Sequence, residues 1–158
     1  MPIKDASLRG KNDRSNPGQS TSIQFFKADV AFRFQGKSKI SDWIKKVVKR
    51  EGGSLTSLNI VFCSDDYLLN INRDYLNHDY LTDIITFDYS EGKKLSGEIY
   101  ISIGRVRDNA NGLSIPFAIE LRRVMIHGVL HLLGYKDKTA SQKKAIRKKE
   151  DGCLALFM

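Results

Sequence analysis

The sequence predicts a mixed α/β (α+β) single domain, in which a mixed β-sheet of about four strands packs with helices. Three observations lead to this prediction. The 158 residues match one domain of ordinary size. Segments rich in branched and aromatic residues fall in the first two-thirds of the chain, whereas the longest helical patterns fall in the last third. The chain shows no internal repeat and no Gly-rich phosphate loop.

The N-terminal half supplies two strand segments and two helices. Residues 1–21 are polar and rich in Gly, Ser, Asn and Pro, so we expect a disordered extension that precedes a folded domain at 22–158. The elements predicted next are one or two strands at 23–34, a helix at 40–50 that ends at Gly52 and Gly53, a strand at 57–63 and a helix at 64–76.

The C-terminal half adds a strand pair and three helices. The predicted strands are 83–89 and 97–103, and the predicted helices are 104–111, 116–133 and about 140–156. Pro116 suits the first turn of its helix, and Gly134 suits the position just after its end.

Charge is the unusual feature of the composition. With 26 basic and 18 acidic residues, the formal net charge is +8, which favours polyanions such as nucleic acid or an anionic membrane; simple solubilisation is the alternative. Because no secretory segment and no apolar run near the ~20 residues of a membrane span is present, we expect a soluble, cytoplasmic protein. Cys63 and Cys153 form no CxxC motif and are expected to be buried as small hydrophobic residues.

The segment HGVLHLLGYKD carries the chemistry. Residues four apart share a helix face, so His127 and His131 can point at one ion, and Gly134 can turn the chain to bring Asp137 back toward it. This spacing is that of the zinc helix in metzincin peptidases. The alternative is a pair of packed histidines, but two of the three histidines in the chain fall here. We therefore predict a metal site made of His127, His131 and Asp137.

Gly128 occupies the position at which zinc peptidases carry the glutamate that acts as general base. The missing carboxylate disfavours peptide hydrolysis. We also expect the small residue to leave space beside the metal for a bulky substrate.

With these residues, the sequence resembles the YbeY family of bacterial endoribonucleases. HGVLHLLGY matches the family's zinc motif, and LNHDYLTDIITFDY (76–89) and SGEIYIS (96–102) resemble two further blocks in the same order, within a resemblance that covers about 23–157. The resemblance implies a zincin-like fold, with the metal site at the end of a late central helix and one Zn²⁺ per chain. It further implies a zinc-dependent endoribonuclease, a hydrolase of phosphodiester bonds in single-stranded RNA. Its expected role is 16S rRNA 3′ end maturation and ribosome quality control, with rRNA and ribosomal particles as partners.

The sequence departs from the family pattern at two positions. The third ligand is commonly histidine, whereas Asp137 stands here; aspartate binds zinc well but lowers the net charge of the site and so its Lewis acidity. Leu76 stands where many members carry an arginine, for which Arg73 or Arg122 could substitute.

Other polar residues of the matched blocks leave alternatives open. His78 could be the third ligand in place of Asp137, although a loop position or a contact with a ligand is favoured. Asp83 and Glu98 could orient a water molecule or a histidine, or could be ordinary carboxylates at strand ends. No general base is assigned.

RNA contacts are expected where basic residues follow Asp137. Positions four apart on the last helix predict one positive face, and the candidate contacts are Lys136, Lys138, Lys143, Lys144, Arg147 and Lys148. Three ligand candidates favour an open, catalytic site over a closed structural one. The alternatives are another kind of zinc hydrolase, a non-catalytic RNA-binding factor stabilised by zinc, and a basic domain without metal. A monomer is the default expectation.

Overall fold

The computed structural model describes residues 22–78 and 80–157, so the prediction of disorder at 1–21 lies outside the described residues. Four strands and five helices form in this part of the chain. In order they are β1 (Ser22–Lys27), α1 (Lys37–Arg50), β2 (Ser54–Cys63), α2 (Asp65–Leu76), β3 (Ile84–Asp88), β4 (Lys94–Ser102), α3 (Ile103–Leu113), α4 (Phe117–Leu132) and α5 (Ala140–Ala155).

The strands form one mixed sheet in the order β1-β2-β4-β3, which confirms the predicted fold class. β1 and β4 run parallel to β2 on its two sides, and β3 is antiparallel to β4 at the edge. The antiparallel pair needs only the short connection 89–93, whereas each parallel neighbour needs a crossover, which α1, α2 and β3 help to provide.

The period-2 alternation of the strands divides the apolar residues between two faces of the sheet. Ile60 of β2 and Ile99 of β4 belong to the larger core, which α1, α4 and α5 complete. Val61 and Tyr100, each one residue further along, belong to a smaller core beneath α2. The sheet therefore lies between two helical layers of unequal size.

α4 is the central helix of the larger layer and lies close to the sheet at two glycines. A Cβ on Gly97 would lie 3.0 Å from the Leu132 side chain. A Cβ on Gly128 would lie 2.8 Å from Ile84 Cδ1 and 3.0 Å from Ile99 Cδ1. Gly128 thus faces the sheet, and the expectation that it leaves space for substrate is wrong. The missing side chain permits close packing of helix on sheet.

Two details of the predicted elements also differ. β1 is the one strand in 23–34; after the Ala28 amide hydrogen-bonds to the Phe62 carbonyl, the chain leaves the sheet. Phe32 and Phe34 instead pack their rings around Phe62. Pro116 precedes the first turn of α4 as the N-cap residue, with extended backbone angles.

The two cysteines are free and buried, as expected. Burial raises the pKa of both thiols, so neither side chain is a thiolate at neutral pH. Among the described residues, no helix combines the length and the apolar character needed to cross a membrane.

Candidate metal centre

The end of α4 and the turn after it bring three ligand side chains together. His127 and His131 lie on one face of the helix. Gly134 then adopts a φ of +106°, which L side chains rarely reach, and reverses the chain. The Tyr135 amide closes this turn by donating to the Leu130 carbonyl at 3.0 Å, a bond typical of a glycine-ended helix. The reversal carries Asp137 back to the histidines.

The three ligand atoms form a compact triangle. His127 Nε2 and His131 Nε2 are 2.9 Å apart, and Asp137 Oδ2 lies 3.3 Å from each. A tetrahedral ion with bonds of ~2.0–2.1 Å needs ligand atoms about 3.3 Å apart, close to these spacings. The side chains are 23%, 26% and 38% exposed, so one side of the triangle faces solvent. These residues can hold a metal ion and leave a position open.

Glu150 of α5 fixes the orientation of His127. Its Oε2 lies 2.5 Å from His127 Nδ1, and its side chain is only 5% exposed. With a proton on Nδ1 directed at the carboxylate, the Nε2 lone pair remains free to bind an ion. Burial by itself disfavours the charged form of His127, but the hydrogen bond and charge of Glu150 raise its pKa overall.

Two arginines compensate the buried charge of Glu150. Arg123 Nη1 lies 3.4 Å from Glu150 Oε1, and Arg147 Nε lies 3.8 Å from the same oxygen. Arg123 also contacts Asp151 at 3.0 Å and Glu120 at 3.6 Å, the latter too long for a hydrogen bond. Burial raises the pKa of Glu120. This network links α4 to α5 behind the histidines.

A cleft of about 310 Å³ opens beside His127 and Asp137, between α4, α5 and the residues that begin β3. Its charged walls contain Asp83, Glu120, Arg123, Lys143, Arg147 and Glu150. Asp83 accepts a hydrogen bond from Asn109 Nδ2 at 3.2 Å. Burial raises the pKa of Asp83, although the nearby His127 acts in the opposite direction.

The predicted basic face of α5 borders two cavities. Lys143 and Arg147 line the cleft, whereas Lys148 lines a separate groove between α1 and α5. Lys144 is exposed and lines neither cavity, and Lys136 and Lys138 are exposed on both sides of Asp137. The predicted basic residues of α5 are thus all exposed, and the face that they form borders the metal cleft on one side and this groove on the other. Their contact with RNA stays a prediction.

The other candidates from the matched blocks lie apart from the ligand triangle, except Asp83. His78 stacks on Tyr80 and bonds its hydroxyl at 2.9 Å, and among the described residues the metal-binding group contains only His127, His131 and Asp137. Glu98 alternates with Ile99 along β4, so it faces the smaller core; there it accepts a hydrogen bond from Tyr89.

Sequence reasoning missed three charged residues of the cleft. Glu120 and Arg123 lie seven and four positions before His127, the spacing of one helix face. Glu150 lies between Ile146 and Cys153 in the single buried stripe of α5. In both α4 and α5, a charged residue in an otherwise apolar stripe of the sequence could have indicated these residues. Neither arginine proposed as a substitute lines the cleft, and Arg123 lies there instead.

Comparisons with known proteins agree with this geometry. A family model described as Endoribonuclease YbeY matches residues 23–157. A protein of Cytophaga hutchinsonii named Endoribonuclease YbeY is 51% identical over 135 residues, which is 85% of this chain and 94% of that protein. A Flavobacterium psychrophilum protein of the same name is 49% identical over 132 residues, or 84% and 94% of the two chains.

A structural relative supports the fold as well. The solution structure of a Thermotoga maritima protein is similar with a TM-score of 0.62 and 26% identity, over 86% of this chain and 89% of that one. Since the family model spans nearly all of the described residues and relatives share about half of their residues with this chain, the chain belongs to the YbeY family.

Proposed function

We propose that this protein is a zinc-dependent endoribonuclease that cleaves single-stranded RNA, with the ion held by His127, His131 and Asp137. The observation that carries the proposal is the convergence of these three ligand atoms at the edge of a cleft in which Lys143 and Arg147 stand among charges of both signs. The relatives, which are named endoribonucleases, supply the reaction class.

The chemistry of the donors suits zinc, since two imidazoles and one carboxylate are among its common ligands. Bound zinc would act as a Lewis acid on a phosphodiester oxygen and on the attacking group. Two neutral imidazoles and one carboxylate leave the site with a net charge of +1, which favours an anionic substrate.

Other residues of the cleft orient a ligand or place charge beside the substrate. Glu150 holds His127 in the tautomer that presents Nε2. Lys143 and Arg147 place cations along the cleft, where they can bind the phosphates of a strand and stabilise charge on the phosphoryl oxygens. Asp83 places a carboxylate at the opposite wall, within reach of a polar group of the substrate. Peptide hydrolysis of the usual kind lacks its base, because position 128 is a glycine that faces the sheet.

The expected substrate is ribosomal. Charge along the cleft suits the backbone of a single strand, with little reading of base identity. The proposed role is maturation of the 16S rRNA 3′ end and ribosome quality control in the cytoplasm, supported by the family to which the chain belongs.

A direct test combines metal content with cleavage. We expect about one zinc per chain by mass spectrometry, and cleavage of a labelled single-stranded RNA by the zinc-loaded protein but not by His131→Ala. A duplex RNA and casein serve as matched substrates that should remain intact. Zinc in the protein without RNA cleavage would favour the non-catalytic RNA-binding factor, and cleavage of casein would favour another kind of zinc hydrolase.

A further inference from the structure

A second groove lies outside the metal cleft, between the start of α1, the first half of α4 and the segment 32–36. Its volume is about 380 Å³. The residues of α4 that line it include Ala118, Arg122 and Met125, each two positions away from a cleft residue at 120, 124 or 127. Two residues correspond to about 200° around a helix, so the groove and the cleft lie on opposite sides of α4.

The charge of this groove has one sign. Four basic side chains line it, namely Arg33, Lys39, Arg107 and Arg122. Among the described residues that line it none is acidic, in contrast to the metal cleft, where carboxylates face the cations. Within the part of the chain that the structure describes, none of the four forms an ion pair with a carboxylate. Their charges are therefore available to an anionic ligand.

Three of these cations lie over aromatic rings. Arg107 Cζ lies 4.7 Å from the centroid of Phe117, and Arg122 Cζ and Lys39 Nζ lie 4.2 Å and 4.7 Å from that of Phe157. A guanidinium on a ring keeps its N–H edge available for a phosphate. Burial lowers the pKa of Arg122, so an anion bound there would relieve an electrostatic cost.

We propose that this groove binds a single-stranded segment of RNA, with phosphates on the four cations and bases against the rings of Phe32 and Phe34. The inference rests on the proposed function, since it adds a second RNA-binding site to that ribonuclease. Rows of cations beside aromatic rings are how single strands are held without reading of sequence. An acidic peptide would satisfy the cations but has no base to place against Phe32 and Phe34, which are half-buried in the same groove.

The test measures binding separately from cleavage. Full-length, metal-free protein is titrated against a fluorescent single-stranded RNA of about 20 nucleotides, and anisotropy is recorded at several salt concentrations. The test variant is Arg107→Gln with Arg122→Gln. The matched control is Lys45→Gln with Lys46→Gln, which removes the same charge from the exposed face of α1.

We expect the groove variant to bind RNA about tenfold more weakly and to lower the salt-dependence slope by about 1.4, because each single-strand phosphate contact contributes about 0.7. The control should stay within about twofold. Arg33→Gln with Lys39→Gln, at exposed positions, should reproduce the loss if partly buried Arg122 proves necessary for folding.

Unchanged affinity and slope in both groove variants would overturn the proposal. The groove would be assigned to a protein partner instead if a deca-glutamate peptide bound the wild type but not the groove variants, while RNA bound all of them equally. Failure of the proposed ribonuclease function would give a different result. The zinc-loaded wild type would then leave RNA intact, while the groove variants would still bind RNA more weakly than the wild type.

Discussion

At the scale of single residues, the orientation of His127 depends on a carboxylate 23 positions away. Glu150 is held by Arg123 and Arg147 and directs its oxygen at Nδ1. Glu150→Gln keeps the size but removes the charge, and we expect zinc affinity to fall about 10–100-fold, the usual effect of losing such a partner. Competition with a chromophoric chelator measures the Kd.

The matched control for this change is Asp151→Asn, an adjacent carboxylate that contacts Arg123 but not His127. Its zinc affinity should stay within about twofold of the wild type, because it leaves the Glu150–His127 hydrogen bond in place. Equal affinity in Glu150→Gln and the wild type would show that helix geometry alone orients His127.

Gly128 leads to a prediction about packing. Gly128→Ala places a methyl group 2.8–3.2 Å from Ile84 and Ile99, where α4 packs on the sheet. Overpacking of this kind costs about 1–3 kcal/mol. Both Gly→Ala changes gain the same helix propensity, so Gly128→Ala should have a free energy of unfolding lower than that of Gly152→Ala by about this amount in urea denaturation. Gly152→Ala is the control, since nothing lies within 4 Å of its Cβ position on α5 and alanine favours helix. A Gly128→Ala protein as stable as the Gly152→Ala control would refute this account of the glycine.

The sequence was sufficient to predict that His127, His131 and Asp137 come together, because their spacing and that of Gly134 is local. It was insufficient for Glu150 and Arg123. These residues come together only when α5 packs on α4, and single-sequence patterns do not encode which helices pack. The steric role of Gly128 likewise depends on Ile84 and Ile99, which are distant along the chain.

At the scale of elements, α5 contributes to the proposed site at two places. It begins directly after the turn that carries Asp137, and it carries Glu150, which orients His127. Its capping box is complete: the Thr139 hydroxyl accepts from the Gln142 amide at 3.1 Å, and Gln142 Oε1 accepts from the Thr139 amide at 3.1 Å. The same oxygen accepts from the Lys138 amide at 3.0 Å, directly after Asp137. The start of α5 therefore also fixes the position of Asp137, the third proposed ligand.

Thr139→Ala should destabilise the protein by about 1 kcal/mol, the typical cost of losing an N-cap. It should also weaken zinc binding, because the turn that carries Asp137 loses its anchor. Denaturation and chelator competition measure the two effects, and Thr139→Ser, which keeps the hydroxyl, should show neither. Weakened stability with unchanged zinc affinity would mean that Gly134 alone places Asp137.

Helices and strands were predictable where the pattern was long and regular. The five buried residues of α1 are those that its periodicity indicates: Ile40, Trp43, Ile44, Val47 and Val48. The segment after β1 was less predictable, since Phe32 and Phe34 resemble strand residues but pack their rings on Phe62 instead of pairing. In that segment, tertiary packing outweighed the local preference for a strand.

At the scale of the whole molecule, the strand order β1-β2-β4-β3 places β4 beside β2 and leaves β3 at the edge. The number of strands followed from the sequence, but this order did not, because each strand is apolar enough to occupy the centre. The order has a consequence for the cleft: β3 begins beside α4, so Asp83, the residue directly before this edge strand, lines the metal cleft.

Zinc should stabilise the whole domain, because its proposed ligands join α4 to the turn that leads into α5. A ligand that binds only the folded state at about 100 times its Kd adds about 2.7 kcal/mol to the free energy of unfolding. For a chain of this size each kcal/mol raises the Tm by about 2–4 °C, so we expect a rise of roughly 5–10 °C. Thermal denaturation of chelated protein with and without added zinc measures it.

The variants make this prediction specific to the site. Asp137→Ala and His131→Ala should lose the zinc-dependent rise, while Asp151→Asn should keep it, since its carboxylate lies outside the ligand triangle. Because the shift depends on binding alone, it tests the metal site independently of any RNA chemistry. A rise of equal size in Asp137→Ala would place the stabilising zinc elsewhere on the chain and remove the main support for the proposed centre.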